Sequence, residues 1–289
     1  MVLRQQVKFP EPSNSVSTGF RVQNWKSLNT NSEQTGVPTP SSSACRCQRR
    51  GYRKTIPAEN WKSWGDIING KGANTLRIGL QNFGGFTTKF DDPVDDSFRE
   101  WITTELFYIY GVPEVGLYWP KVPAKLQLCE RLREWWEPGT SHLVDASNRN
   151  AISTRIQRRA RQWGGVMQIS KEHAAAWVIE SGRDPLGLGR WVWTLYRGKD
   201  NRQLRVITAY WPCYKATKGL ENVHAQHRNY YNTHFPQQNK MPREEILLDL
   251  TTELQTWTQA GEHVILMMDC NKDVRSNQIQ QFLQASDLR

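Results

Sequence analysis

From Thr75 onward, short apolar runs alternate with amphipathic stretches, and this alternation constrains the fold more than any other feature of the sequence. Runs of strand length are predicted as β-strands over 76–82, 112–117, 165–170, 190–197, 204–210 and 263–269. Stretches with apolar residues at helical spacing are predicted as helices over 94–108, 124–136 and 243–259. The alternation is typical of an α/β domain with sheets flanked by helices, and we place that domain at residues 73–289.

Residues 1–72 differ in composition from the rest of the chain. They are rich in Ser, Thr, Asn, Pro and Gln and poor in apolar residues, which is the composition of a segment that forms no packed core. They hold 11 basic against 4 acidic residues, a net charge of +7 out of +10 for the whole chain. The sequence therefore predicts a disordered basic arm. Such an arm is suited either to a polyanion such as nucleic acid or, as a solvated tail, to no partner at all.

Composition also limits where the chain acts. No apolar run approaches the roughly 20 residues that a membrane span needs, and residues 1–17 contain no apolar block of signal-peptide type. The five cysteines are odd in number and scattered, which favours free thiols in a reducing compartment. We therefore expect an intracellular protein without membrane contact. The basic cluster over 46–54 is compatible with nuclear import or with nucleic-acid binding.

Polar residues stand at or near the ends of three predicted strands. The first strand ends in Asn82, before a Gly-Gly turn, and the second contains Glu114 among apolar neighbours. The last ends in Asp269-Cys270-Asn271, where strand alternation points Asp269 and Asn271 the same way. Each feature alone is compatible with an ordinary turn or an exposed rim. A carboxylate beside a carboxamide can also hold a water and a phosphate oxygen together, and a buried carboxylate needs a cation or a hydrogen-bond partner.

Taken in order, these strand ends resemble the endonuclease/exonuclease/phosphatase superfamily. The resemblance rests on L-R-I-x-x-x-N over 76–82, Glu114 in the second strand, Tyr210-Trp211-Pro212, and Asp269-Cys270-Asn271. Gly164-Gly165 is also similar to the glycine pair that begins the family's middle strand. The resemblance covers residues 76–289, about three quarters of the chain, and its style is similar to the endonuclease modules of non-LTR retrotransposons.

The resemblance implies a DNase I-like α/β sandwich that hydrolyses phosphodiesters, with DNA as the leading substrate and Mg²⁺ or Mn²⁺ as cofactor. It implies that Glu114 ligates the metal ion with Asn82 beside it, and that Tyr210 contacts the scissile phosphate. Asp269 would orient or deprotonate the attacking water, and Asn271 would hydrogen-bond the phosphate as its negative charge builds up. We expect the Glu114 and Asp269 carboxylates to lie within roughly 10 Å of each other, close enough to share a metal and its water shell.

Two further features are candidate contacts to nucleic acid. A basic run precedes Gly164 and could lie along a phosphate backbone; it consists of Arg155, Arg158, Arg159 and Arg161. Trp119, with Trp163 and Trp211, lies beside the matched motifs and could stack on bases. The alternatives are a charged surface loop for the arginines and core positions for the tryptophans.

The chain also departs from the family pattern. The family places a further strand and an Asp-His pair downstream of D-x-N, whereas none of the six histidines of this chain follows Asp269. We therefore expect a C-terminally truncated domain with an incomplete second sheet and impaired cleavage. Two alternatives stay open: a non-catalytic nucleic-acid-binding remnant, and a phosphatase or phosphodiesterase of the same superfamily.

Zinc is a competing metal. His224, His227 and His234 fall within a narrow arc if they lie on one helix, and three imidazoles on one side could bind Zn²⁺. A solvated amphipathic face is the simpler interpretation of that spacing. Cys45 and Cys47 form a lone C-x-C pair with no second pair or histidine nearby, which is weak support for a zinc site.

The basic arm generates the first testable prediction. Deleting residues 1–72 should flatten the salt dependence of DNA binding, because each phosphate contact releases counterions and makes affinity fall with salt. The measurement is the DNA affinity of the full chain and of the deleted chain between about 50 and 200 mM salt. An unchanged slope after deletion would show that the arm makes no phosphate contacts.

Overall fold

The structure is a computed structural model that describes residues 2–4, 76–86, 93–147, 161–214 and 222–288. Within these ranges the strands are β1 (Val2–Arg4), β2 (Ile78–Leu80), β3 (Ile109–Pro113), β4 (His142–Ala146), β5 (Val166–Lys171), β6 (Val178–Arg183), β7 (Trp191–Arg197), β8 (Gln203–Tyr210) and β9 (His263–Asp269). The helices are α1 (Pro93–Thr104), α2 (Leu128–Trp135), α3 (His173–Ala176), α4 (Val223–His234), α5 (Pro242–Gln259) and α6 (Asn277–Ala285).

The strands form two mixed sheets. The first sheet has the order β1-β9-β8-β7-β6, and the second has the order β2-β3-β5-β4. The pairs β8–β9 and β2–β3 are parallel, and the other pairs are antiparallel. The predicted mixed α/β class is therefore confirmed. The expectation of an incomplete second sheet stays a prediction.

The elements stack in four layers. Leu250 and Leu254 of α5 pack on the outer face of the first sheet, together with Ile279 of α6. Ile102 of α1 and Leu132 of α2 pack on the outer face of the second sheet. The inner faces of the two sheets meet in a third cluster, made by Ile78, Leu80 and Ile109 from one sheet and Val206, Ile265 and Met267 from the other. The order of layers is helices, sheet, sheet, helices. The apolar clusters lie between each sheet and its helices and between the two sheets.

Buried polar side chains join the two inner faces. Thr208 of β8 donates a hydrogen bond to the Gln168 side-chain oxygen across the sandwich at 2.9 Å. Gln168 in turn donates to the Tyr196 hydroxyl, which also lies 2.7 Å from the Ser170 hydroxyl. Burial raises the pKa of Tyr196 to about 12, so the hydroxyl keeps its proton as a donor. Because buried polar groups are costly when unpaired, these bonds disfavour sliding of one sheet over the other.

A buried ion pair anchors two helices to the first sheet. The Arg190 guanidinium donates two hydrogen bonds to Asp184, at 2.8 and 2.7 Å, and neither side chain is exposed. It also donates to the Tyr231 hydroxyl of α4 and to Asp249 of α5. Asp184 accepts further bonds from the backbone N–H groups of Leu186, Leu188 and Arg190. The network fixes the loop that leads into β7 to the helices α4 and α5, which pack on the first sheet.

Several predicted boundaries differ from the observed ones. The strand predicted over 112–117 begins earlier and ends at Pro113, and the helix predicted over 124–136 begins as the 3₁₀ turn Ala124–Leu126 and becomes helical at Leu128. The sequence analysis did not predict β4, β6 or α6. Val2–Arg4 pairs with β9, although the sequence predicts a disordered arm over 1–72. Residues 5–75 lie outside the described residues.

The Arg190 network generates a prediction about stability. Asp184→Asn should lower the free energy of unfolding by about 3–5 kcal/mol, because it leaves a buried guanidinium without its main counter-charge. The matched control is Asp273→Asn, which removes an exposed pair with Arg275 and should change the free energy of unfolding little, because water screens an exposed pair. Urea unfolding of both variants measures the difference. Equal small losses in the two variants would contradict an anchoring role for Asp184.

Candidate active site

Polar residues from four strand ends meet at one rim of the sandwich. β8 and β9 run parallel, and their last residues, Tyr210 and Asp269, are paired. β2 and β3 run parallel in the other sheet and are followed closely by Asn82 and Glu114. Because Asp269 follows Ile265 and Met267 at two-residue intervals, its side chain points to the same face as theirs, toward the second sheet. The strand ends of both sheets therefore place polar side chains at one end of the interface between the sheets.

The Asn82 carboxamide joins the two acids. Its Nδ2 donates to Glu114 Oε2 at 3.1 Å and to Asp269 Oδ2 at 2.6 Å. These two carboxylate oxygens are therefore at most about 5.7 Å apart, the sum of the two distances. The expected proximity of Glu114 and Asp269 is confirmed. The catalytic and metal-binding roles of these residues stay predictions.

Gly84 fixes the orientation of the Asn82 carboxamide. The Gly84 backbone N–H donates to Asn82 Oδ1 at 2.7 Å, which leaves the Nδ2 group to face the acids. Gly84 has a φ of 71°, a backbone conformation that glycine adopts without strain. Asn82 was predicted as a site residue, but this role of Gly84 was not. The spacing Asn82-Phe83-Gly84 could have indicated the bond, because an Asn side chain commonly accepts from the backbone N–H two residues later in the chain.

Glu114 has an unusual backbone conformation. Its φ is 59°, which costs a residue other than glycine about 1–3 kcal/mol when the surroundings impose it. Pro113 ends β3 immediately before Glu114. Hydrogen bonding to the segment that leads into β5 resumes immediately after it, because the Val115 N–H donates to the Gly165 carbonyl at 3.0 Å. Glu114 therefore lies at a local irregularity and not inside the strand that the sequence predicted. The irregularity directs its half-buried side chain to Asn82.

The Asp269-Cys270-Asn271 motif turns sharply at its end. Asn271 has a φ of 44°, so strand alternation stops at Asp269 and does not set the direction of the Asn271 side chain. The Asn271 backbone N–H donates to Asp269 Oδ1 at 3.3 Å, and its Nδ2 donates to the Trp211 carbonyl at 3.0 Å. One hydrogen of the Asn271 carboxamide is thus used within the fold. The second hydrogen is the one that could reach a phosphate oxygen.

Neutral donors surround the Asp269 carboxylate. Its two oxygens accept from the Asn82 carboxamide and from the Asn271 backbone N–H. The buried acids Asp95, Asp184 and Glu262 pair with Arg131, Arg190 and Arg205 respectively. Among the described residues no lysine or arginine forms an ion pair with the half-buried Asp269, whose oxygens accept from neutral groups. Such a carboxylate can attract a metal ion or accept a hydrogen bond from water.

Tyr210 lies beside Asp269 but is mostly enclosed. Its side chain is buried in a small cluster with Val166, Val192 and Val223. The structure therefore brings Tyr210 to the same rim as Asn82, Glu114 and Asp269. Its contact with a phosphate stays a prediction, and the residue is only 4% exposed.

The structure changes the interpretation of the candidate nucleic-acid contacts. Trp119 is buried among the side chains of α1 and α2, so the expectation that its ring stacks on a base is not met. Trp211 is fully buried as well. Arg161 lies over the half-buried Trp163 ring, 4.3 Å from its centroid. Arg155, Arg158 and Arg159 lie outside the described residues.

The histidines of α4 do not form a zinc site. His227 is fully buried, its Nε2 donates to the Leu188 carbonyl at 2.9 Å, and burial lowers its pKa to about 4. His234 is exposed and stacks on Tyr230. Across the part of the chain that the structure describes, no group of three or more His, Cys, Asp or Glu residues is arranged to hold a metal ion. The zinc alternative is therefore wrong for these histidines, and Cys45 and Cys47 lie outside the described residues.

Comparisons with known proteins add no family assignment. No family model matches the chain, and no curated protein matches its sequence. Among the described helices, none combines the length and the apolar character that a bilayer crossing requires.

The bridging carboxamide generates a prediction that needs no substrate. Asn82→Asp should place three carboxylates together, which raises the pKa of at least one of them because like charges disfavour ionisation. A carboxyl whose pKa is higher in the folded than in the unfolded state destabilises the protein as the pH rises from the unfolded-state pKa through the folded-state pKa. The variant should therefore match the wild type near pH 4 and lose about 1–3 kcal/mol of unfolding free energy by pH 8.

The control for this prediction is Asn232→Asp, an exposed position on α4. Urea unfolding from pH 4 to pH 8 measures both variants. Added Mn²⁺ should restore stability to Asn82→Asp at pH 8 and not to the control, because a cation offsets the repulsion. A pH-independent loss in Asn82→Asp would contradict the electrostatic account of the site.

Proposed function

We propose that this chain is a metal-dependent phosphodiesterase with a DNase I-like fold, that it uses Mg²⁺ or Mn²⁺, and that DNA is its leading substrate. One observation carries the proposal: Glu114 and Asp269, from different sheets, approach the same Asn82 nitrogen. The four-layer sandwich and the order of the strand-end motifs support it, since both resemble the endonuclease/exonuclease/phosphatase superfamily.

The residues at the rim fit a hard cation. Glu114 supplies a carboxylate, and the Asp269 carboxylate is within reach of the same point. The Asn82 oxygen would reach a cation there only if the carboxamide turned over and gave up its bond from the Gly84 N–H. A cation at this point would take the place of the carboxamide N–H between the two acids. When bound, the metal supplies charge neutralisation on the phosphate and lowers the pKa of a bound water.

The chain's own groups divide the remaining tasks. Asp269 accepts a hydrogen bond from the attacking water and holds it in line with the phosphorus. Asn271, fixed by its bond to the Trp211 carbonyl, donates its second carboxamide hydrogen to a phosphate oxygen. Tyr210 borders the position of the phosphate from the end of β8. Fixed donors of this kind stabilise the transition state because they need no reorganisation during the reaction.

A non-catalytic nucleic-acid-binding protein is the second candidate. It is favoured because, in the ranges described, the site contains two acids and lacks a third His, Cys, Asp or Glu that would complete a metal cluster. A phosphatase of the same superfamily shares the same rim chemistry. The basic balance of the chain, +10, favours an extended polyanion over a small phosphoester.

Nicking of supercoiled plasmid with Mg²⁺ and with Mn²⁺ tests the proposal. We expect slow, metal-dependent nicking that falls about 10²-fold or more in Asp269→Ala, because a positioned acid or base contributes that much to rate. Asp273→Ala removes an exposed acid four residues away and should nick like the wild type. Nicking that persists in Asp269→Ala would refute its role, and binding without nicking would support the second candidate.

Calorimetric titration of Mg²⁺ and Mn²⁺ tests the metal ligand separately. Glu114→Gln should weaken binding, because it removes charge while keeping shape. Glu137→Gln, at an exposed position, is the control. Equal metal affinity in both variants would show that Glu114 is not a ligand.

A further inference from the structure

Tyr214 presents an exposed aromatic ring near the candidate active site. It follows Tyr210 by four residues, and the residue is 56% exposed. Its ring meets the His224 ring edge-on, with centroids 5.1 Å apart and planes at 70°. This contact holds the ring on one side and leaves the rest of it open.

The first turn of α4 ties Tyr214 to the rim. Val223, next to His224, packs with Tyr210 in one buried cluster. Gly164 makes this packing possible, since a Cβ there would lie 2.9 Å from a Val223 methyl group. Tyr210 is in turn paired with Asp269. Tyr214 therefore lies on the same side of the sandwich as the two acids.

Cationic side chains flank this region. The Arg243 guanidinium donates to the Pro212 carbonyl, two residues before Tyr214. Arg243 also lies over the Trp211 ring at 3.8 Å. On the other side of Tyr210, Arg161 lies over Trp163, and Trp163 packs against the Tyr210 cluster.

We propose that Tyr214 is a stacking platform for an unpaired nucleobase next to the scissile phosphate. This inference rests on the proposed function and narrows its substrate to a nucleic acid with at least one unpaired nucleotide at the site. A nucleobase offers a flat face to an exposed ring, and the neighbouring guanidinium groups suit the phosphates on either side. A base inside a duplex is already stacked and cannot use the ring, and a small phosphoester without a base gains nothing from it.

Binding by the full chain, without metal and with a chelator, tests the platform separately from cleavage. The probes are a fluorescent single strand of thymidines and a strand of equal length with abasic sites. Tyr214→Ala should weaken binding of the thymidine strand about tenfold and leave binding of the abasic strand unchanged. Tyr214→Phe should bind both strands like the wild type, because it keeps the ring. Trp177→Ala removes another exposed aromatic, 49% exposed and stacked on His173, and should change neither affinity.

Three results would overturn the platform: equal weakening on both strands by Tyr214→Ala, equal wild-type affinity for both strands, or no binding to either. Thermal unfolding of each variant separates a folding defect from a binding defect. If the alanine variant unfolds, the wild-type affinity for the thymidine strand against the abasic strand retains the test. Base-dependent binding in a chain that nicks nothing would reject the proposed hydrolysis and keep the platform. Nicking without base dependence would reject the platform alone.

Discussion

The candidate site depends on one hydrogen-bond donor, the Asn82 carboxamide nitrogen, which faces a carboxylate from each sheet. Two carboxylates at most about 5.7 Å apart repel each other, and a neutral donor between them offsets part of that repulsion. The arrangement requires that the two sheets stay aligned to within a hydrogen-bond length. The contacts between the two sheets, and those between the helices and the first sheet, hold the sheets in this alignment.

Alignment comes from the inside of the sandwich. Apolar contacts between the inner faces are non-directional and would tolerate some sliding, whereas the Thr208–Gln168–Tyr196 bonds would not. Thr208 precedes Tyr210 by two residues on the same face of β8, so the bond nearest the rim is one pleat from the site. The Arg190 network then fixes α4 and α5 to the first sheet, and α4 carries Val223 against Tyr210.

Local patterns predicted most of the elements that position the site. β9 was predicted with its observed bounds, because five apolar residues between His263 and Asp269 leave little ambiguity. The buried stripe of α5, including Ile246, Leu250 and Leu254, also follows its periodicity. β6 is mostly exposed and lies at the edge of its sheet. It was not predicted from the sequence, because an edge strand with a solvated face has no continuous apolar run.

The features of the site that were not predicted from the sequence depend on contacts between residues far apart in the chain. Glu114 was expected inside a strand, but its φ of 59° follows from the end of pairing at Pro113 and its resumption at Val115, which involves a chain segment about fifty residues away. The direction of the Asn271 side chain depends on the Trp211 carbonyl, sixty residues earlier. Trp119 was a candidate for base stacking because of its place beside a motif, whereas it is buried in the same apolar cluster as residues of α1 and α2, as the core alternative predicted. Pattern and spacing carry no information about such long-range partners.

The contrast between the half-buried Asp269 and the buried acids connects the fold to its chemistry. Asp95, Asp184 and Glu262 each pair with an arginine, which is how a fold neutralises a carboxylate that it needs only for structure. Asp269 instead receives two neutral N–H donors. Neutral donors do not cancel the charge of a carboxylate as an arginine does, so its attraction for a cation or for a polarised water survives. An arginine at position 82 would satisfy Asp269 better as a structural partner and would remove that attraction, whereas a carboxamide preserves it.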